Sequence, residues 1–427
     1  MNSEFKKAKL VDLCELISRG ITPSYTEDIE EGVVVLNQKC IRDNKINYQL
    51  AKLTNPNKKK VTENKYLRKY DILVNSTGVG TLGRVAQVKK LDKKMTVDSH
   101  VTIVRPKAEI DPIYLGYYMF MKQKYIEYLG EGSTGQTELS RVRLGDALEV
   151  NFPSLEEQKA IAKVLSDLDE KIETNNKINK KLEEMAQAIF KQWFVDFEFP
   201  NEDGKPYKSS GGEMVESELG MIPSGWKVEL LKSYCDVKKG LSYKGKHLVE
   251  DGTPMINLGN VNPGGGFRRD KCKFYDGDFK EQHTVKAGDI IIANTDMTQE
   301  RVILGSPIFV PDFKTESIIF THHLFAFRNL KIPKSFLYYY LKSKSFRERA
   351  ESYATGTTVL AISRDSVLNI NFVKANNEVL NNFDLITKSI LDRIENNNLE
   401  IEKLQKLRDE LLPKLMSGEI RINNVNI

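Results

Sequence analysis

Apolar positions in the first 153 residues come in short runs, Val33–Leu36, Asp71–Asn75, Arg84–Val88 and Val101–Val104, divided by turn-forming residues. That pattern predicts strands. Leu115, Tyr118 and Met119 recur at helical spacing and predict a helix around Tyr114–Tyr125. After Pro153 the period changes. Ile161, Leu165, Leu168, Ile172, Asn175, Asn179, Leu182, Ala186, Ile189 and Trp193 step by four and three, a heptad seam with a polar middle. Ser154, with Glu157 three residues on, is a capping box that opens this helix, which runs to about Phe194. At ~1.5 Å per residue, about forty residues make a rod of ~60 Å. Residues 199–223, rich in Gly, Pro, Ser and Glu, read as an exposed linker. Beyond it come apolar strands at Gly288–Ala293 and Ile308–Val310 and a helix around Phe336–Ser343. A second seam follows: Phe383, Ile390, Ile394, Asn397, Ile401, Leu404, Leu407, Leu411 and Leu415, ending near Met416-Ser417-Gly418.

The two halves are versions of one pattern, offset by roughly 220 residues, a period long enough for a whole domain. Ser18-Arg19-Gly20 falls on Lys238-Lys239-Gly240, Leu36-Asn37 on Ile256-Asn257, and Thr134-Gly135 on Thr355-Gly356. Asp71-Ile72-Leu73-Val74 falls on Asp289-Ile290-Ile291-Ile292, and Ile172, Asn175 and Leu182 on Ile394, Asn397 and Leu404. A seam needs a partner, and the economical one is the other seam in antiparallel pairing. The expected fold is α+β: strand-rich domains at 1–153 and 224–374, long helices at 154–198 and 375–427, a coiled coil and a pseudo-two-fold internal repeat. Asn175 and Asn397 occupy equivalent seam positions and are expected to meet near the pseudo-dyad and set register, because a slip would leave an amide unpaired.

The chain carries a formal charge of +5, with 40% hydrophobic and 29% charged residues, which permits nucleic-acid binding without demanding it. No apolar run reaches ~18 residues, so no transmembrane helix is expected. The start, MNSEFKKAKL, lacks the apolar core of a secretory signal, and a cytoplasmic location is expected. None of the four cysteines, Cys14, Cys40, Cys235 and Cys272, forms a CxxC pair, which argues against zinc. Cys14 and Cys235 stand at matching places among apolar neighbours and read as core residues.

Several motifs lose their appeal on comparison of the copies. Gly78-Val79-Gly80-Thr81-Leu82-Gly83 matches GxGxxG, but a cofactor site needs that turn to open a helix, and Arg84–Val88 is of strand type. The equivalent loop, Asp296-Met297-Thr298-Gln299-Glu300, has no glycine. Asp111-Pro112-Ile113-Tyr114 approximates the D-P-P-Y of adenine methyltransferases, but it opens a helix, as does Ile332-Pro333-Lys334, so the proline reads as helix-start chemistry. His322-His323 lacks a second ligand pair, and no metal or catalytic residue is expected. Lys58-Lys59-Lys60 reads as a solvated loop or a phosphate contact.

Four segments carry a family resemblance. Leu155-Glu156-Glu157-Gln158 with Ile161-Ala162, Gln187–Phe197, Ile222-Pro223-Ser224-Gly225-Trp226 and Leu411–Ile420 resemble, in order, the shared regions of the specificity subunit of type I restriction-modification systems. Asn376-Asn377-Glu378 departs from the usual P-x-x-x-E-Q opening, which leaves the start of the second helix open. The resemblance implies two target recognition domains, each reading half of an asymmetric bipartite DNA site, with the helices as a ruler. It implies no catalysis in this chain. Its partners would be two adenine methyltransferase subunits using S-adenosylmethionine and two nuclease/translocase subunits using ATP and Mg2+. A single-chain methyltransferase and a scaffold joining two binding modules are the alternatives.

Base reading needs Arg, Lys, Asn, Gln, Ser and Thr in groove-facing loops. Candidates at strand ends in the first domain are Arg19, Thr22, Gln38, Lys39, Arg42, Thr77, Arg84, His100, Thr134, Gln136, Thr137 and Arg141. In the second they are Lys239, Ser242, Tyr243, Asn260, Asn262, Arg268, Arg269, Thr298, Gln299, Arg301, His322, Thr355, Thr357, Thr358 and Arg364. Arg19 and Lys239 stand out because basic character recurs at equivalent places. Phe190, Trp193 and Phe194, with Phe197 and Phe199, form a candidate partner-docking cluster.

Overall fold

The computed structural model describes residues 4–132, 137–297, 302–356 and 359–422. The chain forms two compact units, Met1–Thr174 with Glu400–Ile427, and Asn175–Leu399. Each unit is a strand-rich domain plus half of each long helix.

In the first unit one four-stranded sheet runs in the order Met95–Val97, Val33–Leu36, Lys52–Thr54, Tyr25–Thr26, and the other Cys14–Arg19, Val101–Pro106, Ile72–Asn75, Val85–Gln87. Side chains alternate across a strand, so a strand covered on both faces must be apolar throughout. Ile72 and Val74 enter a core with Leu10, Val104, Tyr114, Leu115, Ile161, Leu165, Leu412 and Leu415. Leu73, between them, enters a different core with Leu36, Ala86, Val97 and Ile103, under the other sheet.

The second unit repeats this plan. Its four-stranded sheet is Asp236–Lys239, Leu324–Arg328, Ile290–Ala293, Pro307–Phe309, and a five-stranded sheet covers one face. Ile290 and Ile292 face the aromatic core around Phe336 and Phe372, while Ile291 and Ala293 face the one around Phe320 and Ile308. Lys6–Lys9 pairs antiparallel with Glu149–Phe152, and Lys227–Leu230 likewise with Asn371–Lys374. Each closes its domain beside the start of a long helix.

An ion pair recurs in the two units, buried in the first and half-buried in the second. Arg105 binds Asp71 at 2.7 and 2.8 Å and also donates to the Tyr66 carbonyl at 2.8 Å. Arg328 binds Asp289 at 3.3 Å and donates to the Thr284 carbonyl at 2.5 Å. Cys14 and Cys235 lie in equivalent core positions, where burial pushes each thiol up to about 12.

The long helices span Leu155–Phe194 and Asn377–Ser417. Ser154 accepts from the Glu157 amide at 3.4 Å, while the Glu157 carboxylate receives two bonds of 2.8 Å from Arg421. The second helix opens on Asn376, whose side chain accepts from the Val379 amide at 2.9 Å. It ends at Gly418, in left-handed conformation at φ 80°. The helices run antiparallel within each unit. In the first, Glu157 meets Arg421, Asp169 meets Arg408 at 2.8 Å and Lys171 meets Glu400 at 3.5 Å. In the second, Asn397 donates to Asn179 at 2.7 Å, Asn179 donates to Asn398 at 2.9 Å, and Phe383 packs edge-on against Phe194. Asn175 and Asn397 are both buried, at 1% and 2% exposure. Asn179, to which Asn397 donates, lies one turn beyond Asn175 on the same helix.

Residues 199–223 are mostly exposed, as expected of a linker, but they are folded. Met214–Ser217 and Gly220–Pro223 form a hairpin, and Phe199 stacks between Tyr207 and Trp226 at 4.6 and 4.9 Å. The few aromatic side chains in a polar segment suffice to anchor it. The docking cluster is also corrected. Phe190, Trp193 and Phe194 are no more than 8% exposed and pack on Phe336, Tyr339 and Phe383, so they belong to this unit's own core.

Candidate nucleic-acid interface

In each unit the strands of both sheets end along one rim, and a glycine makes the crossing there. The Gly20 amide donates to Val101 at 3.0 Å and the Ile21 amide to Val97 at 2.9 Å, which carries the chain from one sheet to the other. A Cβ on Gly20 would lie 2.0 Å from the Val97 carbonyl oxygen. Gly240 repeats the crossing, with Leu241 bonded to Phe320 at 2.8 Å, and its Cβ would lie 2.3 Å from the Phe320 oxygen.

Polar side chains are knitted together on the first rim. Asn75 Nδ2 donates to the Gln38 carbonyl at 3.0 Å, and Thr77 Oγ1 donates to Gln38 Oε1 at 3.3 Å. Thr77 Oγ1 also lies 2.8 Å from His100 Nδ1. The His100 amide is held by Asp98 at 3.0 Å, a carboxyl that burial raises above its ordinary range. Arg19 is engaged by Glu138 at 2.5 Å and by the Leu139 carbonyl at 2.9 Å. Lys65 donates to Ser18 Oγ at 2.5 Å and to the Arg19 carbonyl, and burial, then Arg141, lower its pKa. Arg84 folds onto the Gly80 carbonyl at 2.7 Å. Thr22, Lys39, Arg42 and Arg141 are exposed and Thr137 is half-buried. Thr134 and Gln136 lie outside the described residues.

The second rim has the same frame and different chemistry. The Asn294 amide bonds the His323 carbonyl at 3.0 Å, as Ser76 bonds His100 at 2.8 Å. Thr295 Oγ1 lies 2.9 Å from His323 Nδ1, as Thr77 does from His100. His322 lies against His323, ring centroids 3.9 Å apart. Burial, then His322 and Lys239, hold the His323 imidazole below its ordinary range. Lys239, Ser242, Thr355 and Arg364 are exposed, and Tyr243 packs on Tyr275 at 6.4 Å. Asn262 and Arg268 are half-buried. Thr298, Gln299, Arg301, Thr357 and Thr358 lie outside the described residues.

Two candidates serve the fold. Asn260 is fully buried, accepting from Asn257 and donating to the Arg268 carbonyl at 2.7 Å. Arg269 is held by Glu395 of the long helix at 2.7 Å. Sequence reasoning missed Thr295 and His323. The signal was present: the offset that puts Asp71 on Asp289 puts Thr77 on Thr295, and the one that puts Arg105 on Arg328 puts His100 on His323.

The glycine loop at 78–83 joins the strands Ile72–Asn75 and Val85–Gln87, with Gly78, Gly80 and Gly83 at φ 99°, 68° and 79°, and opens no helix. Asp111 caps Ile113 and Tyr114 at 3.0 and 2.9 Å, with Pro112 at the helix start. Among the described residues no cluster of three or more His, Cys, Asp or Glu can hold a metal, and no helix is long and apolar enough to cross a membrane.

The chain is thus a duplicated domain with a shared frame and a rim of hydrogen-bonding side chains that differ between the copies. Residues 2–184 match the family model for the type I restriction modification DNA specificity domain. The chain is 28% identical over 410 residues to the type I restriction enzyme MjaVIII specificity subunit of Methanocaldococcus jannaschii, covering 94% of this chain and 89% of that one. It is 24% identical to the HindI specificity subunit of Haemophilus influenzae, covering 98% and 100%. The crystal structure of a type I restriction-modification S subunit from M. genitalium has the same fold, with a TM-score of 0.59 at 18% identity over 99% of this chain and 98% of that one. Along nearly its whole length the chain is thus similar to specificity subunits of type I restriction-modification systems, and its first 184 residues carry the DNA specificity domain of that class.

Proposed function

We propose that each unit reads one half of an asymmetric, bipartite DNA site, and that the bound chain directs two adenine methyltransferase subunits and two nuclease/translocase subunits to it. The observation that carries this is the pair of rims: one backbone frame, presented twice with different side chains. Gln38, Thr77 and His100 line the first, whereas Asn294, Thr295, His322 and His323 line the second. Identical rims would favour a palindrome, as two-fold dimers do; unlike rims favour two unlike half-sites. Exposed bases on the rims, Lys39, Arg42, Arg141, Lys239 and Arg364, supply phosphate contacts that position the duplex, and the hydrogen-bonding side chains test base edges. The methyltransferase partner extrudes an adenine, whose amino group is otherwise inaccessible in the stack. Genome-wide mapping of adenine methylation, with and without the chain, tests this. One bipartite motif with unlike halves should lose its methylation on deletion; an unchanged methylation map would overturn the proposal.

A further inference from the structure

The threonine–histidine pair occurs in both units, at the same point of the frame, although most rim side chains differ. Thr77 Oγ1 to His100 Nδ1 is 2.8 Å and Thr295 Oγ1 to His323 Nδ1 is 2.9 Å. The ring is therefore anchored by one nitrogen and its Nε2 is left for something else. In the first unit the tautomer follows from the network. Thr77 donates its hydroxyl proton to Gln38 Oε1, so its oxygen accepts from Nδ1–H. In a neutral ring that leaves Nε2 as an acceptor. In the second unit burial, then His322 and Lys239, favour the neutral ring of His323.

Three buried polar atoms with no partner among the described residues lie on these same rims: Asn75 Oδ1, Thr321 Oγ1 and His322 Nδ1. Asn75 reaches Gln38, the residue to which Thr77 donates, and Thr321 stands where the first unit has Asp98. Unpaired polar atoms in buried positions cost stability, so they mark a surface whose hydrogen bonds are completed by a ligand. An acceptor fixed in direction matches a donor on a base edge. In the major groove only the amino groups of adenine and cytosine donate.

Resting on the two-module reading above, we propose that His100 and His323 are base-reading residues, each presenting Nε2 to a base of the half-site read by its own unit, His100 accepting there from the amino group of an adenine or cytosine. Thr77 and Thr295 are positioning residues that hold the ring by Nδ1 and set the direction in which Nε2 points.

The test uses the full chain and a random-sequence duplex library, with bound duplexes sequenced. His100→Ala should flatten preference about fivefold at one position of one half of the enriched motif, and His323→Ala at one position of the other half. His100→Gln and His323→Gln, which keep an acceptor at similar reach, should restore part of it and carry the test if the alanine variants misfold. Thr77→Val and Thr295→Val should give a smaller loss at the same positions, with affinity for random duplex unchanged. Uniform weakening on all duplexes with a shallower salt dependence would instead make these phosphate contacts and overturn the assignment. A wild-type motif that none of the variants alters would overturn it alone. No motif with the wild-type chain would overturn the two-module reading beneath it.

Discussion

Asp71 is 1% exposed on its side chain and Arg105 6%, and together they satisfy the backbone of the segment before the sheet. Removing one partner strands the other charge in the core, a loss of about 3–5 kcal/mol. We expect Asp71→Ala to lower stability by about that much in urea denaturation. Asp289→Ala should cost visibly less, because Arg328 and Asp289 keep roughly a quarter of their side-chain surface in water. The rim glycines give a second outcome at this scale. Gly20→Ala drives a methyl group into a carbonyl 2.0 Å away, and the same change at Gly240 meets one at 2.3 Å. Each should destabilise its own unit, visible as faster backbone hydrogen exchange on its rim strands. The cysteines predict an alkaline limit. The thiols of Cys14 and Cys235 are raised from 9.0 to about 12 by burial, so the folded state holds their protons more tightly than the unfolded one. That stabilisation is complete below about pH 9 and lost as the pH rises toward 12. Replacing both by Val should flatten the fall of the melting temperature across that window.

Among the elements, the long helices were the most legible in sequence. Ser154 and the seam from Ile161 to Trp193 fix the first helix, and the structure ends it at the expected Phe194. The second was read to its end at Met416-Ser417-Gly418, but Asn376 as its cap was hidden because the usual opening motif is absent. Asn376→Ala should cost about 1 kcal/mol of stability in thermal or chemical unfolding. Strands buried on both faces, such as Ile72–Asn75 and Ile290–Ala293, were also legible, since two cores demand unbroken apolar character. Lys6–Lys9 was not, because an edge strand pairing with Glu149–Phe152 needs no apolar face and its lysines suit an exposed edge. The asparagine layer was half legible: Asn179, Asn397 and their bond lie in the seam, but antiparallel stagger decides which amides meet. Asn397→Leu should destabilise the second unit by taking a donor from the half-buried Asn179. Joint replacement of Asn179 and Asn397 by Leu should recover that loss and exceed the wild-type melting temperature, since apolar seams are the more stable.

For the molecule as a whole, a site made of loops resists decoding because each rim residue is also a plausible surface residue. Asn260 and Arg269 have the right chemistry and a structural job, whereas His323 has the right place and was passed over for its neighbour. Equivalence between copies is the better guide to placement. If the exposed rim bases contact phosphate, binding should weaken steeply with salt, and Lys39→Ala or Lys239→Ala should each reduce the slope of log affinity against log salt by about 1. One more consequence follows from how the first unit is assembled, from residues at both extremes of the sequence. Gly418 approaches the Phe5 ring, where a Cβ would lie 2.9 Å away, and the Arg421 guanidinium sits over that ring at 5.2 Å. Phe5 and Gly418 thus stand side by side in the first unit. A short peptide bridging those residues, with new ends cut between Asn201 and Lys205 in the exposed turn before the hairpin, should yield a circular permutant that keeps every strand pairing and helix of the parent.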